Sequence, residues 1–265
     1  MIEKLSEDTM GKRMLLFLSI LVMTSLSCGI ASNTGNATQG SNAGSQAAGT
    51  PPAIPVSLNA GLASLNSYEM IIKFYSTGPD PSQSTTTTFT SQSSQEQGTY
   101  YSDMNTSIID PGGGEPNTSD NQVYQVGNDQ CINGQDGWSW VTNTPQEAEM
   151  QGLIKSMIGL TPIIDNPTFV AQETVNGVLT NHFTFTVQGL GAASGTVVNT
   201  NQGDYWLAVD GQYIVKYTLV LETSTAAKTD VLHEEFSINV TDINQPVTIT
   251  LPPDCVQASK LTPTP

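Results

Sequence analysis

Apolar and polar residues alternate with a period of two along most of the chain beyond residue 67, the pattern of half-buried β-strands. In 68–76 (YEMIIKFYS) the alternation puts Tyr68, Met70, Ile72 and Phe74 on one face. Segments 85–93 (TTTTFTSQS) and 98–109 (GTYYSDMNTSII) predict polar, Thr-rich strands, and 111–121 (PGGGEPNTSDN) predicts a loop from its Gly and Pro content. Short strands are expected at 122–127 and 138–142, either side of NDQCINGQDG, whose Asn133-Gly134 and Asp136-Gly137 are turn signals. A second block has strands at 168–175 and 178–187, joined by Asn176-Gly177, and at 203–209 and 212–222, joined by Asp210-Gly211. Tyr213, Val215, Tyr217, Leu219 and Leu221 form one wholly apolar face. In 229–243, Leu232, Phe236, Ile238 and Val240 alternate inward against His233, Glu235, Ser237 and Asn239, and a last strand is expected at 246–251 (PVTITL).

Two segments follow the helical period instead. In 55–67, Leu58, Leu62 and Leu65 recur at helical spacing. In 144–160, Thr144 is placed to cap, Pro145 suits the first turn, and Met150, Leu153, Ile154, Met157 and Ile158 form one apolar stripe. The expected fold class is α+β, mostly β.

The N-terminus reads as an export signal. Lys12 and Arg13 precede an apolar run from Met14 to Met23, too short to span a bilayer. Glu3, Glu7 and Asp8 are unusual ahead of such a run; a start at Met10 would leave the two bases unopposed. The run ends at Ser25-Leu26-Ser27-Cys28, which resembles the lipobox of bacterial lipoproteins, where the cysteine is diacylated and becomes the new N-terminus. Ser27 fits that pattern; Ser25 stands where the family usually has Leu, and Leu26 is one place late. The alternative is an ordinary secretory signal cleaved nearby, with Cys28 lost or paired. Residues 29–54 carry no charge and few apolar side chains, so they form a flexible tether with an r.m.s. span of about 30 Å. The expected organisation is a signal peptide at 1–27, Cys28 and its tether to 54, a domain at 55–256, and a disordered tail at 257–265.

Charge narrows the function. The chain has 24 acids against 8 Lys and Arg, a net charge of −16. Three of each precede Cys28, so 21 acids and five lysines follow it, with no arginine. Such a domain is excluded from nucleic acid, which is bound by displacing counterions with cations. It is equally unsuited to electrostatic adsorption on anionic lipid, so membrane attachment, if it exists, must be covalent, and two acyl chains suffice. Cys131 and Cys255 remain as an even pair in an exported domain, read as bonded to each other and tying the C-terminal end to the middle of the sheet; two separate buried thiols are the alternative.

The order of elements carries a second resemblance. A leading helix with LASLNSYEMIIKF, a meander, one apolar helix, VNGVLTNHFTF, then YWLAVDGQYIVKYTLVLE and PVTITLPPD look like the superfamily that includes LolA, LolB and the mycobacterial LppX and LprG lipoproteins. The resemblance spans residues 56–255. It implies a half-open antiparallel β-barrel wrapped over a few helices, with an apolar cavity that holds acyl chains. Candidate lining residues are Met70, Ile72 and Phe74 of the first strand, and Trp138 and Trp140. The helix adds Leu153, Ile154 and Met157, and the late apolar strand adds Tyr213, Val215, Tyr217 and Leu219.

No catalytic motif is found. His182 and His233 are the only histidines, and HEEFS (233–237) lacks the second histidine of a zinc site. GAASG (191–195) places Ser194 one position late for a nucleophile elbow, GLGAAS (189–194) lacks the third glycine of a dinucleotide loop, and DQCING carries Cys131 at a calcium-ligand position. Glu234 and Glu235 point to opposite faces of a strand and cannot act as a pair. Neither cofactor nor metal is expected. The expected protein is a monomeric, lipid-anchored, extracytoplasmic lipoprotein, not an enzyme, that binds or carries an apolar ligand. An envelope interaction or sensor module on the same fold is the alternative.

Overall fold

The computed structural model describes residues 61–62, 64–80, 82–110, 114–134, 137–142, 164–187, 196–225 and 230–259. The chain divides into Met1–Thr50 and Pro51–Pro265, and every described residue belongs to the second unit. The first strands are β1 (Ser67–Thr77), β2 (Ser84–Ser94), β3 (Thr99–Ile109), β4 (Asn117–Val126), β5 (Asp129–Gly134) and β6 (Gly137–Thr142). The second set is β7 (Ile164–Val175), β8 (Val178–Val187), β9 (Thr196–Ala208), β10 (Ile214–Thr225) and β11 (Val231–Thr241), followed by one helix, α1 (Pro253–Ser259).

All eleven strands form one antiparallel sheet in the order β6-β5-β4-β3-β2-β1-β11-β10-β9-β8-β7. Two meanders therefore meet where β1 pairs with β11, and β6 and β7 are the two edges, so the sheet is not closed. Hairpin chemistry sets much of the register. Asn176 (φ 51°) and Gly177 (φ 80°) both take the left-handed conformation that a two-residue hairpin requires, and Val175 pairs with Val178 across them. At the next hairpin the positive φ values fall on Gly211 (84°) and Gln212 (49°).

The register carries each strand's alternation across the sheet. Met70 pairs with Val240 and with Ser91, and Ile72 pairs with Ile238 and with Phe89. Tyr217 pairs with Ile238 and with Tyr205. The face defined by these residues is the inner one: Met70, Tyr205, Val215, Tyr217 and Val240 are completely buried. Leu62 and Leu65 pack into the same cluster. The approach there is close, because a Cβ on Gly61 would lie 2.6 Å from Tyr213 Cβ and 2.8 Å from its Cα.

The structure corrects several expectations. NDQCINGQDG is not a turn throughout, because 129–134 is strand β5 and Gly134 pairs with Gly137. The six residues PVTITL join no ladder; they run as an unpaired stretch, Ile249 alone buried among them, to α1. That helix continues to Ser259, past the expected start of the tail at 257. Ser67 already belongs to β1, so the first helical segment cannot extend to 67; Leu58 lies outside the described residues. A disulfide joins Cys131 to Cys255, with Cα atoms 5.9 Å apart. It anchors the C-terminal segment to β5, next to an edge strand, rather than to the middle of the sheet.

Candidate functional site

The inner face of β7 to β11 is lined by aromatic rings in adjacent rows. Phe169 meets Phe183 edge-on with centroids 5.7 Å apart, and Phe183 stacks on Tyr205 at 4.9 Å. Phe185 bridges Tyr205 (5.8 Å) and Tyr217 (5.2 Å), and Tyr217 meets Phe236 edge-on at 5.7 Å. The rings can stand this close because Gly203, opposite Phe185 in the ladder, has no side chain. Each such pair adds about 0.5–1.5 kcal/mol beyond its area burial. The row reaches solvent at its edge: Phe169, on edge strand β7, is 53% exposed, whereas Phe183 is 1% exposed.

This apolar face contains polar atoms that the described structure does not satisfy. Tyr205 and Tyr217 have their hydroxyls buried without a hydrogen-bond partner. Burial raises the Tyr205 hydroxyl to a pKa of about 12 and raises Tyr217 as well, so both stay protonated donors. Glu234 lies on the same face, opposite Leu221 and Ser76 in the register. Desolvation pushes its carboxyl above the usual range, with the neighbouring His233 acting in the opposite direction.

Of the expected lining residues, Met70, Ile72, Tyr213, Val215, Tyr217 and Leu219 are buried in one core cluster, and Phe74 pairs with Phe236 on the same face. Trp138 and Trp140 do not join them. The ladder runs from Met70 through Ser91, Ser102, Val123 and Ile132 to Ser139, so both tryptophans point to the opposite, outer face. There Trp138 packs on Tyr124 (5.9 Å), and Trp140 stands beside Cys131 in the ladder, where α1 packs on β6. Leu153, Ile154 and Met157 lie outside the described residues. The sequence reading omitted Phe183, Phe185, Tyr205 and Phe236 from the lining, although the His182-Phe183-Thr184-Phe185 alternation signals the first two.

The outer face is polar and acidic. His182 sits between Glu173 (3.2 Å) and Asp204 (2.8 Å), stacked on Trp206 at 4.3 Å, with Lys216 over the other ring at 4.6 Å. His233 lies between Glu235 (3.0 Å) and Glu222 (3.4 Å); its side chain is 27% exposed, and the hydrogen bond to Glu235 leads in raising its pKa. Among the described residues no group of His, Cys, Asp or Glu is arranged to hold a metal ion.

One outer-face pair gives a pH test. Desolvation, reinforced by a hydrogen bond and like charge from Asp120, raises the Asp103 carboxyl to about 6. A carboxyl raised on folding binds its proton more tightly in the native state, so its ionisation is destabilising. Stability should therefore fall as pH rises from about 4 to 6. Asp103→Asn is expected to match the wild type in urea melts at pH 4 and exceed it at pH 7; equal midpoints at both values would show that the pair is not strained.

No family profile and no curated protein matches the chain. Among solved structures it is similar to LprF from Mycobacterium bovis, at 13% identity over 73% of this chain and 93% of that one, with a TM-score of 0.36. It is similar to the Mycobacterium tuberculosis lipoprotein LppX at 16% identity over 72% and 92%, TM-score 0.36. A LolA superfamily protein from Nitrosomonas europaea matches at 10% identity over 76% and 97%, TM-score 0.21. These are the kinds of protein that the sequence resemblance names, but superpositions this loose carry no argument about what the chain binds or where it resides.

Proposed function

We propose that the chain is an extracytoplasmic lipoprotein, held at the cell membrane by acyl chains on Cys28, whose inner sheet face binds or carries a lipid or other apolar ligand. The row of rings from Phe169 to Tyr217 supports this reading. A sealed core would end at its edge strand in buried or polar side chains, whereas this row leads from a half-exposed ring to fully buried ones. It offers an apolar ligand continuous ring contact from solvent to interior. On this reading the role is binding rather than catalysis, and the described strands place one acid, Glu234, on the inner face without Lys, Arg or His.

Two measurements test the reading on the full chain produced in a bacterial host. Labelled palmitate should be incorporated into the wild type and absent from Cys28→Ala; equal labelling of both would remove the anchor. Organic extraction of protein purified from membranes, followed by mass spectrometry, should release stoichiometric lipid beyond the covalent chains. An empty extract with no uptake of a fluorescent hydrocarbon would turn the assignment to an interaction or sensor module.

A further inference from the structure

We infer that the hydroxyls of Tyr205 and Tyr217 are the hydrogen-bond donors to the ester carbonyls of an uncharged lipid. The inference rests on the apolar-ligand reading above and specifies which ligand chemistry that face accepts. The two tyrosines are direct cross-strand neighbours, Tyr217 of β10 opposite Tyr205 of β9. Residues so paired have Cβ atoms about 4.5–5.5 Å apart and project to the same side. Both are completely buried, both touch the Phe185 ring, and neither hydroxyl has a hydrogen-bond partner.

An unpaired hydroxyl in an apolar setting costs free energy that phenylalanine, of nearly the same shape, avoids. The sequence does use phenylalanine on the next strand, at Phe183 and Phe185. Two unpartnered hydroxyls on one buried face, either side of the Phe185 ring, are explained by acceptors that a ligand supplies.

The charge of the face selects the acceptor. Along the described strands, the positions in register with Met70 include no Lys, Arg or His. Lys73 and Lys216 both point to the outer face, Lys216 over Trp206. Glu234, the one acid on the inner face, is itself driven toward its neutral form by burial. A carboxylate or phosphate drawn to the tyrosines would be buried with no counter-charge, whereas neutral ester carbonyls accept from the hydroxyls at no such cost.

The test compares a fluorescent diacylglycerol with its dialkyl ether twin, which keeps the hydrocarbon and loses the carbonyls. Binding is measured on the full chain freed of bound lipid, in one detergent throughout. The wild type should bind the ester about tenfold more tightly than the ether, the sum of two neutral hydrogen bonds. The double variant Tyr205→Phe/Tyr217→Phe should bring the ester to the affinity of the ether. Equal affinity of the wild type for both probes, or an ester preference that survives in the double variant, would overturn the donor pair while leaving the carrier reading intact. Binding of neither probe would instead defeat the carrier reading itself.

Discussion

Replacing Cys131 and Cys255 together by alanine is expected to lower the thermal midpoint by about 10 °C. The crosslink spans a sequence separation of 124 residues. A link that closes so long a loop restricts the unfolded chain by about 4–5 kcal/mol in the entropy treatment, and links of this kind typically deliver 2–4. In a domain of this size each kcal/mol moves the midpoint by about 2–4 °C. The loss should concentrate at the C-terminal end. Helix α1 has seven residues, too few to persist without support, and the stretch from Pro246 to Pro252 makes no strand pairs. Calorimetry of the double variant measures the first effect, and limited thermolysin proteolysis, with early cutting before Ile249, measures the second. A shift under about 2 °C would mean that the helix docks on β6 without help from the bond.

Gly203→Val should be as damaging with a much smaller change. A Cβ built on Gly203 would clash with the Cζ and Cε carbons of Phe185, which is 3% exposed. That ring is held between Tyr205 and Tyr217, so it cannot swing aside without breaking both contacts. Overpacking of this kind costs about 1–3 kcal/mol, and the lost ring contacts add to it. Urea unfolding should show a lower midpoint, and near-ultraviolet circular dichroism a weakened aromatic signal, with Gly203→Ala intermediate. Wild-type stability in the valine variant would show that Phe185 does not sit over the glycine.

Gly203 also marks where sequence reading stops. Alternation alone located the strands, because a half-buried strand must repeat every two residues; the Tyr217 and Ile238 faces were both visible in this way. Asn176-Gly177 was readable because few residues other than glycine and asparagine tolerate positive φ. Strand β5 was hidden because DQCING has turn-forming residues, and only pairing with β4 and β6 makes it a strand. PVTITL shows the reverse, an alternating segment that pairs with no strand of the sheet. Trp138 and Trp140 were assigned to the wrong face because alternation separates two faces without saying which is inner. That information lies in the register across six strands, which no local window contains. The donor pair was likewise invisible, since Tyr205 and Tyr217 are brought together only by the β9–β10 ladder.

The two register shifts in β7 have a consequence for self-association. An open sheet offers unpaired backbone groups at both ends, and copies of it would tend to zip together through them. Neither end is a clean template. At one end the ladder breaks between Asp165 and Thr168 and again between Phe169 and Ala171, with Asn166 at φ 47° and Pro167 donating no amide hydrogen. At the other, β6 is short and has α1 packed on it. The irregular edge therefore performs two tasks at once, leaving Phe169 half-exposed while refusing a second strand.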